Sequence, residues 1–276
     1  MKRITFYYMV AVIISGLVSC EQLPDQPEFN NPYIPGDISY TPPMVDIVSG
    51  PQEDEILNSP MVTFSYEGNY TVVDFSYRLD DQMWSAWTSD QSVTYSALDE
   101  GKHTFQLRGR NMTGIEDSMN VSRSFQIDAV QGPALWFSPR SQSVNAGSEF
   151  TVTLMAEDMY DMMGVYAPVL FDENAVTLVD YSVWDNSGDY LTKNGGTVIS
   201  LVDQGTTYGM VTFNLAMVEG SPSGVDGSGK LVTLTFRANS NQSTSIQIGN
   251  ARVTDSVLNN NILSGDYLMP AQVEVQ

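Results

Sequence analysis

From Met44 onward, apolar residues recur at every second position in short runs bounded by Gly, Asn and Asp. That period fits half-buried β-strands and excludes amphipathic helices. In "VTFSY" Val62, Phe64 and Tyr66 share a face; in "FSYRL" Phe75, Tyr77 and Leu79 do; in "HTFQL" His103, Phe105 and Leu107; in "SFQI" Phe125 and Ile127. Turn signals ("GN", "DDQ", "DEG", "NMTG") separate these runs, so residues 44–130 are expected to form an antiparallel β-sandwich. Gly132-Pro133 interrupts the pattern, which then resumes. "EFTVTL" places Phe150, Val152 and Leu154 inward and Thr151, Thr153 and Met155 outward, after a turn at Asn145-Ala-Gly147. Further strands are read at "MMGVYAPVLFD", "AVTLVDYSV", "GTVISLVD", "GMVTFNLAMV", "GKLVTLTFRA", "TSIQIG" and "YLMPAQVEVQ". With about nine strands and no useful helical stretch, residues 133–276 predict a second, jelly-roll-like sandwich. The fold class expected is all-β.

Charge and residue counts narrow the function. Lys and Arg number 12 against 33 Asp and Glu, a formal charge of −21 that phosphate backbones would repel, so nucleic acid is excluded as a partner. One Cys cannot close an intrachain disulfide, one His cannot build a metal site of the usual nitrogen and sulfur kind, and a module of this kind gives no ground for a Ser-His-Asp constellation. His103 shares a face with Phe105 and Leu107, which gives it a structural role. A glycosidase-like carboxylate pair is defined by its separation in space, which spacing along strands does not supply. No catalytic residue, metal or cofactor is assigned, and the chain is read as not being an enzyme.

The amino terminus supplies an address. Lys2 and Arg3 precede an apolar run from Ile4 to Leu17, the layout of a signal peptide over residues 1–19 and too short for a comfortable membrane span. Leu17-Val18-Ser19-Cys20 resembles the lipobox of bacterial lipoproteins, and the resemblance implies that Cys20 is acylated after cleavage. Residues 20–43 then read as a tether, with prolines at 24, 27, 32, 35, 42 and 43. In polyproline-II geometry, at about 3.1 Å per residue, it would reach roughly 70 Å. Glu21 lacks the Asp that signals inner-membrane retention in enteric-type lipoproteins. By that analogy, the expected location is the bacterial envelope, at the outer membrane or cell surface.

Tyr77, Trp84, Trp87, Tyr95, Leu98, Gly101, His103, Phe105 and Arg108 resemble the motif of bacterial immunoglobulin-like or fibronectin-III-like modules. The resemblance implies a spacer or accessory module whose motif residues serve core and turns.

Over Pro133 to Gln276 the order of motifs resembles a cohesin domain: "AGSEFTVTL", then "GVYAPVLFDENAVTLV" with Phe171-Asp172 at its centre, "GSGKLVTLTFRA" and the closing "GDYLMPAQVEV". That resemblance implies a partner, the dockerin-like module of a secreted protein in polysaccharide degradation, with any calcium on the partner. It also implies a site on one sheet face. With Ala167, Val169 and Phe171 inward, Tyr166, Pro168 and Leu170 face out; with Phe213 and Leu215 in the core, Thr212 and Asn214 are exposed. These five are the partner-binding candidates. An alternative on the same fold is polysaccharide binding by Tyr181, Trp184 and Tyr190, whose rings could stack on sugar faces; Trp184 could equally plug one end of the sandwich. Asp185, Asn186 and Asp189 lie in the same segment but lack the ligand ladder of a calcium loop.

Overall fold

The computed structural model describes residues 30–204, 209–219, 224–257, 260–263 and 268–276. The segment expected to be a signal peptide and Cys20 lie outside the described residues. Two β units follow one another, each with its own core.

The first unit contains β1 (Val45–Ser49), β2 (Glu55–Leu57), β3 (Val62–Gly68), β4 (Val72–Leu79), β5 (Ser92–Tyr95), β6 (Gly101–Asn111) and β7 (Val121–Ile127). They form a three-stranded sheet, β1-β3-β5, and a four-stranded sheet, β2-β7-β6-β4. Alternation puts every second apolar residue between the sheets: Phe64, Phe105 and Leu107 are fully buried, and the Phe64 and Phe105 rings stack with centroids 4.0 Å apart. On the outer face of β4 and β6, Trp84 and Trp87 interleave with three arginines. The Arg108 guanidinium lies 4.3 Å from the centre of Trp84 and 4.8 Å from Trp87, with Arg78 and Arg110 capping the stack at 4.9 and 4.6 Å. Both tryptophans are thereby consumed by the fold. Residues 31–41 depart from the extended geometry their prolines suggest. They make successive turns held by Asp37, whose carboxylate accepts from the Asn31 and Ser39 amides and the Ser39 hydroxyl.

The second unit contains β8 (Ala134–Ser138), β9 (Ser141–Val144), β10 (Glu149–Leu170), β11 (Val176–Val183), a 3-10 turn (Tyr190–Thr192), β12 (Thr197–Asp203), β13 (Met210–Glu219), β14 (Val225–Ala238), β15 (Thr244–Ile248), β16 (Arg252–Asp255), β17 (Leu268–Met269) and β18 (Ala271–Val275). The two segments read separately as "EFTVTL" and "MMGVYAPVLFD" are one strand, β10, of 22 residues. Its first half pairs with β14 and β8, from Phe150↔Phe236 and Leu154↔Phe137; its second half pairs with β13, β15 and β16. The change of partners occurs where the register slips around Met159, and there Asp158 and Asp161 take the left-handed conformation at φ 47° and 51°. Asp161 locks the bend, because its carboxylate accepts from the Gly224 amide (2.7 Å) and from the Ser256 amide and hydroxyl (3.1 and 2.6 Å). Those bonds hold its acid below the ordinary aspartate range. One apolar cluster then fills the unit, from Leu135 and Phe150 through Val211 and Phe236 to Val275.

Carboxylates of residues 99 and 100, between β5 and β6, hold the start of the second unit. Asp99 accepts from the Ser138 hydroxyl and the Arg140 amide, both at 2.7 Å. Glu100 accepts from the Arg140 guanidinium at 2.9 Å and from the Ala129 and Val130 amides. Behind this joint, His103 is buried between two acceptors, the Asp80 carboxylate at 2.8 Å from Nδ1 and the Asp99 carbonyl at 2.9 Å from Nε2. Both ring nitrogens thus face acceptors supplied by the fold, which is a structural placement.

Candidate partner-binding face

β12, β13, β10 and β16 lie side by side, and their register sets residues in rows across the sheet. Leu201 stands opposite Asn214, Asn214 opposite Tyr166, and Tyr166 opposite Arg252. One rung along, Ile199, Ala216, Gly164 and Thr254 form a second row. Alternation decides which side chains emerge: Val165, Ala167, Phe213 and Leu215 are buried, and Val198 and Val202 pack on the core, so Leu201 (66% exposed) and Tyr166 (42%) face outward with Ile199, Ala216 and Val218. Gly164 and Ala216, having little or no side chain, leave a depression of about 180 Å³ walled by Tyr166, Asn214, Arg252 and Thr254. A Cβ at Gly164 would come within 3.0 Å of the Leu215 carbonyl, so the floor sits directly on backbone. The result is an apolar strip along β12 and β13 beside a shallow polar-rimmed hollow, the composition of a protein-docking surface with aromatic and aliphatic anchors.

Of the five candidates, Tyr166 and Asn214 stand together at the centre of this face. Pro168 and Thr212 do not emerge: both are buried, side by side in the register. The turn after β15 closes over Pro168, with the Gly249 amide donating to its carbonyl at 2.7 Å and a Cβ there falling 3.2 Å from that of Pro168. Leu170 is half-buried against the same turn. Sequence reading missed Ile199, Leu201 and Arg252. The signal for the first two was present, since "VISLV" is apolar at consecutive positions and so carries apolar side chains on both faces of its strand.

The alternative aromatic segment does not make a platform. Tyr190 is buried, its hydroxyl donating to the Gly227 carbonyl at 2.8 Å, and burial pushes that hydroxyl's pKa well up. Its ring occupies the space that a Cβ on Gly229 would need, 2.4 Å away. Tyr181 turns its edge to Phe213 with centroids 5.5 Å apart. Trp184 is half-buried, donates to the Thr233 hydroxyl at 2.9 Å and has the Lys230 ammonium 4.5 Å over its ring. Tyr190 is thus withdrawn into the core, while Tyr181 and Trp184 are half-buried and already engaged by neighbours. Among the described residues no group of three or more His, Cys, Asp or Glu is placed to hold a metal ion, and no helix is long and apolar enough to cross a membrane.

Comparison with known proteins identifies the second unit. Its solved structural neighbours include a non-cellulosomal cohesin from Archaeoglobus fulgidus, at 15% identity and TM-score 0.39, covering 52% of this chain and 91% of that one. Another is the OlpC cohesin in complex with a dockerin from Clostridium thermocellum, at 12% identity and TM-score 0.40, covering 52% and 96%. A third is the sixth cohesin of scaffoldin B from Acetivibrio cellulolyticus with a Cel5 dockerin, at 13% identity and TM-score 0.40, covering 53% and 100%. No curated protein matches the chain. The family model described as the cohesin domain matches residues 137–267, which run from β8 to the start of β17. The second unit of this chain is a cohesin domain.

Proposed function

We propose that this chain is a lipid-anchored protein of the bacterial cell surface whose cohesin domain docks the dockerin-like module of a secreted protein in polysaccharide degradation. The observation that carries the reading is the row Leu201–Asn214–Tyr166–Arg252 with Ile199 beside it. An exposed apolar edge flanks hydrogen-bonding groups on a sheet already rigid through its pairing with β10. The cohesin match supports it, since that family is a non-catalytic protein-interaction family. In this reading the first unit is an immunoglobulin-like spacer, and calcium belongs to the partner. The lipobox-like Leu17–Cys20 supports anchoring, which metabolic labelling with a fatty acid tests; label retained in a Cys20→Ala chain would refute it.

Docking is tested by pull-down from culture supernatant with the chain from residue 20 onward, with and without a calcium chelator. A dockerin-bearing protein is expected to bind only with calcium. Leu201→Asp combined with Tyr166→Ala should weaken that binding at least about 100-fold, the scale of two central anchors. Unchanged capture by the double variant, or binding only to polysaccharide arrays, would count against the reading.

A further inference from the structure

The first unit carries exposed apolar side chains at the pole opposite its joint with the cohesin domain, and neither core uses them. The β3–β4 turn at 69–71 and the β6–β7 turn at 112–114 meet there, because Val72 pairs with Asn111. Residues 31–41 fold onto the same pole: the Tyr33 carbonyl accepts from the Asn111 amide (3.1 Å) and the Thr113 hydroxyl (3.3 Å), and Thr41 meets the Tyr70 hydroxyl at 2.6 Å. This brings together Ile38 (89% exposed), Tyr70 (69%) and Met112 (65%), with Ile34 and Met44 also exposed. The acids around them are engaged within the fold: Asp37 with Asn31 and Ser39, Asp117 with the Val45 and Met119 amides, Glu116 with Arg108, and Asp74 with Arg110. Asp46 and Glu67 face each other one rung further in from the Val45–Gly68 pair. Among the described residues no lysine stands at this pole to seek an anionic headgroup.

Chain length says what covers this pole. Since residues 31–41 are folded against the unit, only residues 21–29 separate an anchored Cys20 from the described chain, a span of at most about 35 Å. We propose that the pole formed by Ile34, Ile38, Met44, Tyr70 and Met112 rests in the headgroup region of a zwitterionic phospholipid surface, holding the first unit upright on the membrane. The proposal rests on the reading that Cys20 is lipidated. Short-tethered apolar and aromatic side chains partition into such an interface by burying apolar area, and the tether removes the entropic cost of finding it.

The test couples the chain from residue 20 onward, through the Cys20 thiol, to a maleimide phospholipid in phosphatidylcholine–phosphatidylethanolamine vesicles. Contact is then measured whether or not a cell acylates that residue, and fatty-acid labelling of native and Cys20→Ala chains decides the anchor separately. Part of the vesicle lipid carries a photoactivatable diazirine. Adducts mapped by peptide mass spectrometry should fall on residues 34–44, Tyr70 and Met112, at least about tenfold above those at Met83. Met83 is 91% exposed and follows the end of β4 that borders the joint. Ile38→Asp with Met112→Asp should lower the adducts about fivefold without changing thermal unfolding or vesicle attachment. Equal labelling at Met83 and at the pole, or crosslinks only between copies of the chain, would overturn the proposal.

Discussion

His103 is the residue whose environment most constrains its chemistry. Burial by itself would lower the imidazole's pKa, but the Asp80 carboxylate and the Asp99 carbonyl outweigh it and hold the value above 6.5. Burial likewise would raise Asp80, and its bonds to His103 and the Thr104 amide bring it below 3.8 instead. A group with a raised pKa in the folded state contributes stability that is complete below its unfolded value and lost as pH rises through the folded one. The contribution of His103 is therefore expected in full below pH 6.5 and to fade above it, while that of Asp80 fades only in strong acid. Because the chain has a single histidine, thermal unfolding measured between about pH 6 and 8.5 should show a downward slope that His103→Gln removes. Arg108 makes a second residue-scale case. Its planar guanidinium is sandwiched by two tryptophans and donates to Glu116 at 2.9 Å, geometry that an ammonium does not reproduce. Arg108→Lys should cost about 1–2 kcal/mol in denaturant unfolding, and no loss would show that the stack is incidental.

Among the elements, β10 decides how the cohesin domain is built. Asp158 holds a positive φ, where aspartate is tolerated and β-branched residues are strained. Asp158→Gly should leave stability within about 0.5 kcal/mol, whereas Asp158→Val should cost about 1–2 kcal/mol. Equal effects of the two on the melting temperature would mean that the bend is set elsewhere. This strand also shows what was legible beforehand. Its inward residues Phe150, Val152, Leu154, Val165, Ala167 and Val169 follow from period two, because burial of alternate side chains is what the pattern encodes. Its continuity was not legible, since Glu157, Asp158 and Asp161 interrupt the apolar alternation between "EFTVTL" and "MMGVYAPVLFD". Tyr166 and Asn214 were legible as outward for the same reason that Val165 and Leu215 were inward. Pro168 and Thr212 were misplaced because alternation names a face and says nothing of the Gly249 turn that covers it. The parallel pairing of β9 with β18, more than a hundred residues apart, leaves no local trace in the chain either.

At the scale of the whole molecule, the joint between the units is the element with the largest electrostatic stake. The Arg140 and Glu100 side chains are 7% and 9% exposed at 2.9 Å, and burial pushes each toward its neutral form, lowering the arginine and raising the glutamate. Attraction between them thus offsets a desolvation cost, so the pair specifies geometry more than it adds stability. Glu100→Ala, which leaves a buried guanidinium and two unpaired amides, should destabilise by about 3–5 kcal/mol. Glu100→Gln with Arg140→Met removes the buried charge and keeps an acceptor for one of the two amides, Ala129 or Val130, so it should recover part of the loss. Calorimetry of the three chains checks this, and a double variant as weak as Glu100→Ala would sink the account. The bonds across this joint also bear on the proposed capture. By tying residues 99 and 100 to Ala129, Val130, Ser138 and Arg140, they narrow the angles through which the candidate face can swing about the first unit. The slack needed for encounter then has to reside in the linker of whatever it captures, whose length sets the effective concentration at the face.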